Sequence, residues 1–85
     1  MSEQKLIFHS ATDIASNEPT MREWKRKGQT VTLENLYHYR PLTIRYENGN
    51  ATITSYIQEF YADNERVIVY TSNTRYEFLY LQDNE

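Results

Sequence analysis

The sequence predicts a small α+β domain: an N-terminal strand, one or two short helices, and a curled four-stranded antiparallel meander that approaches a small barrel. Three observations predict this class. The chain has 85 residues, enough for a single domain over residues 1–85 with one small core. Eight of its residues are tyrosines, which favour half-buried strands. After Pro41, apolar and polar residues alternate at the period of a strand.

A short helix is predicted over residues 19–27. Pro19 suits the first turn of a helix, and Gly28 suits the position just after its end. The only large apolar side chains in this segment are Met21 and Trp24. We therefore expect the helix to dock on the sheet through these two side chains and to leave its other residues in solvent.

Two other segments are assigned by their period. Residues 4–9 contain three consecutive apolar residues, a run too short for a helix, and predict a strand. Residues 30–40 fit two periods. The run TVTLE alternates as a strand does, whereas Thr32 as an N-cap, with apolar residues at positions 33, 36 and 37, has helical spacing. We favour the helix, which Pro41 would end.

The second half of the chain predicts four strands joined by short turns, over residues 42–47, 51–60, 66–71 and 75–81. The pair Asn48 and Gly49 is the strongest hairpin signal, because both central residues of that turn need positive φ. The strand over 51–60 is long enough to need a bend or bulge. The last two strands are apolar on both faces, so the sheet curls, is covered, or offers its second face to a partner.

The run RPLTIRYENG over residues 40–49, between a candidate helix and a meander, resembles the entry into small Sm-like or SH3-like bacterial modules. The YolD-like and WYL-type families are the nearest. The resemblance covers about residues 31–81 and implies a non-enzymatic accessory factor of bacterial, phage or mobile-element type. The tripeptide that names the WYL family falls on Val67, Ile68 and Val69 here. The resemblance therefore does not extend to that family's effector sensing.

Composition argues against several functional classes. The chain has no cysteine, which excludes thiol chemistry and fits a reducing cytoplasm. No leader or membrane-length apolar run precedes His9. The two histidines, His9 and His38, have no acidic or histidine neighbour at metal-binding spacing. No nucleophile elbow, phosphate loop or paired carboxylates are recognisable. We expect a cytoplasmic protein with no catalytic residues, metal, cofactor or membrane contact.

Two candidate binding surfaces remain. We expect a tyrosine-rich sheet face that contacts a partner protein, because tyrosine and tryptophan often anchor interfaces. Its residues are Tyr46, Tyr56, Tyr61, Tyr70, Tyr76 and Tyr80. The alternative is nucleic-acid binding by the basic helix, against which the net charge of −3 argues. Its residues are Arg22, Trp24, Lys25, Arg26 and Lys27. The last strand would end as an open edge, which favours a homo-oligomer.

Overall fold

Pairing between the first and last strands closes the chain into a six-stranded barrel in the computed structural model, which describes residues 4–81. Each strand is antiparallel to its neighbours. The strands are β1 (Leu6–Asp13), β2 (Thr30–Glu34), β3 (Pro41–Tyr46), β4 (Ala51–Ala62), β5 (Arg66–Thr71) and β6 (Thr74–Tyr80). One helix, α1 (Met21–Arg26), lies between β1 and β2.

The core is aromatic where β1 meets β6. Phe8 directs its ring edge-on to Tyr76 and Phe78, with centroids 6.2 and 5.6 Å apart. Val67 and Val69 of β5 are also buried, as the alternation of strand side chains requires. Burial of apolar area at about 25 cal/mol per Å² is the main force that stabilises such a domain. The interior side chains of β1, β5 and β6 therefore stabilise the pairing of β1 with β6 that closes the barrel.

Strand β4 is the corner of the barrel. Its first half pairs with β3, where Ile53 lies opposite Thr43, and its second half pairs with β5, where Phe60 lies opposite Val69. The register shifts once on each side, as the predicted bend requires. Such irregularities increase the local twist and let one strand serve two parts of a curved sheet.

Two elements cover the ends of the barrel. The segment between β2 and β3 is bonded to β4, because Tyr39 donates its N–H to the Ile57 carbonyl and Ile57 donates to that of Arg40. In the same segment Leu36 packs against the core, and the ring of His38 stacks on that of Phe60 at 4.8 Å. Helix α1 lies at the opposite end, beside the end of β3 and the start of β6.

The architecture differs from the predicted one in its closure. The strands predicted after Pro41 are present as β3 to β6, but they do not form a separate four-stranded meander. Strand β6 pairs with β1 over seven positions. The expected open edge of the last strand is therefore absent, and strand addition at that edge no longer supports self-association.

The predicted helix over residues 32–40 is wrong, and the alternative strand period is correct for β2. Val31 is buried and Leu33 packs against the core. The strand alternation of this segment therefore places both apolar side chains on the inner face. Asn35 and Tyr39 have positive φ values of 64° and 66°, which no helix allows. Of the apolar residues with helical spacing, position 33 thus lies in β2, and positions 36 and 37 lie in the loop after it.

The seam between β1 and β2 is short, with Cα partners at only Leu6 and Ile7 in the described chain. Beyond them the backbone of Ala11 finds partners in the helix region. Its N–H donates to Oε1 of Glu23 at 2.9 Å, and its carbonyl accepts from the N–H and the hydroxyl of Thr20. Since Ala11 is fully buried, these groups substitute for a neighbouring strand.

Replacement of Glu23 tests this seam. Glu23→Ala leaves the buried Ala11 N–H without a partner, and we expect the free energy of unfolding to fall by about 1–3 kcal/mol. Glu23→Gln keeps an acceptor oxygen and retains most of the stability. Urea unfolding followed by circular dichroism measures both. Equal losses in the two variants would show that the hydrogen bond is not what stabilises the seam.

The turn between β4 and β5 predicts a pH effect. Hydrogen bonds from the N–H groups of Glu65 and Arg66 hold the pKa of Asp63 below its usual 3.8. A lowered folded-state pKa stabilises the fold above pH 3.8, and this contribution disappears as the pH falls through the folded-state value. We expect Asp63→Asn to destabilise the protein at pH 7 and to destabilise it less at a pH below the folded-state pKa of Asp63. Urea unfolding of both proteins at pH 7 and at that acidic pH measures the difference.

Candidate partner-binding surfaces

Helix α1 is attached to the barrel by charged side chains. Arg22 Nη1 donates to the hydroxyl of Tyr76 at 2.8 Å, and the guanidinium of Arg26 lies 4.2 Å from the centre of the Tyr46 ring. Glu23, as described, accepts from the backbone of β1. No residue of the helix is buried. The contacts that seat α1 are therefore hydrogen bonds and a cation–π interaction.

The apolar side chains of α1 point into solvent. Trp24 is 83% exposed and Met21 is 71% exposed, so the prediction that the helix docks through them is wrong. The physical reason lies at the end of the barrel, where the Tyr76 hydroxyl, the Tyr46 ring and the Ala11 N–H need polar or cationic partners. Side chains that satisfy these groups occupy the inward side of the helix.

Open clefts lie on both sides of the helix. One, of about 480 Å³, is lined by Pro19, Glu23, Trp24 and Lys27. The other, of about 260 Å³, is lined by Met21, Arg22, Lys25, Arg26 and Thr52. We use the name α1 surface for Met21, Trp24, Lys25 and Lys27, all of which are exposed.

The structure divides the basic cluster predicted to bind nucleic acid. Arg22 and Arg26 contact the two barrel tyrosines. Lys25 and Lys27 remain exposed beside Trp24, and none of the ion pairs in the described part of the chain involves them. Half of the positive charge in this cluster thus has a structural role within the protein.

The six tyrosines expected on one sheet face are distributed over three environments. Tyr46 and Tyr76 are each 2% exposed and belong to the core, so they do not contribute to an outer surface. Tyr70 and Tyr80 are half-buried. Tyr56 and Tyr61 are 58% and 57% exposed. Within the predicted set, these last two are the side chains most available to a partner.

Exposed apolar and aromatic residues concentrate along β4 and in the segment between β2 and β3. Ile53 and Tyr56 lie opposite Thr43 and Pro41 on the outer side of the barrel, and the exposed Tyr39 is hydrogen-bonded through its backbone to β4. We use the name β4 surface for Tyr39, Ile53, Tyr56 and Tyr61.

Sequence reasoning missed two members of this surface. Tyr39 lay in the segment assigned to a helix. Ile53 lies in the strand predicted over residues 51–60, of which only Tyr56 was counted among the partner-binding residues. Ile53 is 70% exposed, although strict alternation would place it on the same face as the buried Ile57. The bulge in β4 between them changes which residues face outward. The outward position of Ile53 could be predicted only if the place of this bulge were known.

Tyr61 is held in place by two neighbours. Its hydroxyl donates to a carboxylate oxygen of Glu59, and its ring lies edge-on to that of Tyr70 with centroids 6.2 Å apart. The hydrogen bond to Glu59, together with the negative charge of that group, raises the pKa of the Tyr61 phenol above its usual 10.0. The phenol is therefore neutral at physiological pH and remains a hydrogen-bonding group.

Two other kinds of site are absent from the described residues. Among the residues described, no three His, Asp or Glu side chains cluster in a way that would hold a metal ion. No helix within 4–81 combines the length and the apolar composition needed to cross a membrane.

No protein family, curated protein or solved structure shows a significant match to this chain. The resemblance to YolD-like and WYL-type modules therefore stays a prediction.

Replacement of Trp24 distinguishes an exposed ring from a docked one. Because the ring is mostly in solvent, Trp24→Ala should change the free energy of unfolding by less than about 0.5 kcal/mol. Phe8→Ala, in the core, should cost about 3–5 kcal/mol. Chemical denaturation of both variants gives the comparison. A loss at Trp24 similar to that at Phe8 would mean that the ring packs on the barrel.

Proposed function

We propose that this protein is a non-catalytic binding module that contacts a partner protein through the β4 surface. The observation that supports this most directly is the outward placement of Ile53 and Tyr56 on one side of the barrel. A branched aliphatic side chain that is 70% exposed gains free energy when a partner removes it from water. A neighbouring tyrosine adds a large contact area and a hydroxyl for orientation.

The β4 surface is also rigidly supported. Its strand is bonded to β3 on one side and to β5 on the other. The stacking of His38 on Phe60 and the backbone bond of Tyr39 fix the adjoining segment. A partner that binds there does not have to order a loose loop, and preorganisation of this kind lowers the entropic cost of association.

The shifted pKa values of Glu34, Tyr61 and Asp63 each have a local structural cause. The hydrogen bond from Arg45 lowers the pKa of Glu34, and the hydrogen bond to Glu59 raises that of Tyr61. Backbone N–H groups lower the pKa of Asp63. None of the three is proposed as an acid or base. We include in this proposal a cytoplasmic location, which rests on the absence of cysteine. We also include an accessory or regulatory role of bacterial or phage type, which rests on the sequence resemblance.

The nucleic-acid alternative has weaker support. It requires the basic helix as a phosphate-binding element, yet Arg22 and Arg26 are engaged with Tyr76 and Tyr46. The chain also carries a net charge of −3, whereas domains that bind nucleic acid independently are mostly basic. The exposed Trp24 is the one observation that favours it.

Site-specific photo-crosslinking tests the proposed contact. A benzophenone side chain at position 56 should give a discrete protein adduct in an extract of the source organism, before and after nuclease treatment. The same group at Gln4, an exposed residue just before β1, the strand three places from β4 around the barrel, should not give that adduct. Ile53→Asp should abolish the adduct from position 56, because a charge at the centre of an apolar contact is costly to desolvate.

The matched substitution is Gln4→Asp, which adds the same charge three strands away from β4 and should leave the adduct intact. No adduct at position 56, or equal adducts at positions 56 and 4, would contradict the proposal.

A further inference from the structure

Positive charge is concentrated on α1. Residues 21–27 carry four of the nine Lys and Arg residues of the chain and one of its twelve Asp and Glu residues. That single acidic residue, Glu23, is hydrogen-bonded to the barrel. The helix therefore presents an excess of cationic groups on a protein that is negative as a whole.

Apolar side chains lie among these charges. Met21 and Trp24 are three positions apart, a spacing that places side chains on the same side of a helix. They are 71% and 83% exposed. Tryptophan is the residue type most enriched among those that dominate binding energy at protein interfaces.

Each cleft beside the helix combines both kinds of group. The larger places Trp24 with Lys27, and the smaller places Met21 with Lys25 and Arg22. An apolar side chain that enters either cleft contacts a tryptophan or a methionine. A carboxylate next to it in the same ligand lies close to a lysine.

From this combination we propose that the α1 surface binds an acidic protein segment that carries an apolar side chain between its carboxylates. The apolar side chain packs against Trp24, and the carboxylates pair with Lys25 and Lys27. The site is separate from the β4 surface, so it does not depend on the function proposed above.

Charge favours this ligand over a nucleic acid. Two exposed lysines match two or three carboxylates, whereas a nucleic acid carries a phosphate at every nucleotide. Its remaining phosphates would extend over a protein whose other charged residues are mainly acidic. Arg22 and Arg26 add positive potential near the clefts, but their contacts with Tyr76 and Tyr46 keep them on the barrel side.

The same contacts keep the site in a binding-ready form. A helix of six residues is too short to be stable alone in water. The bonds of Arg22, Glu23 and Arg26 to the barrel hold it and thereby fix the position of Trp24. Because polar and charged side chains attach the helix to the barrel, its apolar residues remain available for a ligand.

Fluorescence of Trp24 reports binding directly, because it is the single tryptophan of the chain. The probe is a synthetic peptide of sequence EEDLFDEE. We expect it to shift the emission to shorter wavelength and to protect the ring from iodide quenching, with an affinity that falls as salt is added. The comparison ligands are a neutral peptide, SSSLFSSS, a basic peptide, KKKLFKKK, and oligodeoxythymidine.

Variants separate the two parts of the site, with binding followed by anisotropy of a fluorescein-labelled EEDLFDEE peptide. Lys25→Glu with Lys27→Glu should weaken binding about tenfold or more, because attraction becomes repulsion. Lys5→Glu with Arg40→Glu changes the net charge equally at exposed positions outside α1 and should have little effect. Trp24→Ala should also weaken binding about tenfold or more with little change in stability.

Since glutamates near a helix end can destabilise it, Lys25→Gln with Lys27→Gln provides a milder test, in which the salt dependence of binding should decrease. The proposal is overturned if the acidic peptide does not bind, if the neutral or basic peptide binds equally well, or if oligodeoxythymidine is the preferred ligand. It is also overturned if the control pair weakens binding as much as the pair on α1.

Discussion

Pairing of β1 with β6 is the interaction on which the rest of the structure depends. It joins the two strands over seven positions and brings Phe8 against Tyr76 and Phe78. With this seam formed, the apolar side chains of β5 and β6 have an interior to fill. The outer positions of β4 then become surface, and one end of the barrel acquires the tyrosines on which α1 is seated.

The attachment of α1 shows how polar groups at the end of a barrel determine what a helix presents to solvent. Tyr76, Tyr46 and Ala11 each require a partner, and Arg22, Arg26 and Glu23 supply them. Met21 and Trp24 thereby lie outward, while Arg22, Glu23 and Arg26 contact the barrel. The α1 surface therefore combines two exposed apolar side chains with the exposed cations Lys25 and Lys27.

Sequence patterns account for much of the fold and little of the site. Alternation and turn signals predicted the strands after Pro41 because each side chain there follows the pleat of its strand. The period was ambiguous in residues 30–40, where a short strand and a loop together imitate helical spacing. Hydrophobicity suggested that Trp24 would dock, since no local pattern reveals that the barrel offers polar groups instead. Tyr56 was expected on a partner-binding face, but the bulge in β4 prevented assignment of Ile53 to the outer side.

The order of the strands also bears on how the chain folds. Each strand from β2 to β6 pairs with its neighbour in sequence, whereas β1 and β6 lie at opposite ends of the chain. Local hairpins lose little chain entropy on forming, and closure of the full circle loses more. We therefore expect the contacts of Phe8 with β6 to form late in folding, so that weakening them accelerates unfolding more than it slows folding. On this basis the pairing of β1 with β6 would determine the lifetime of the closed barrel.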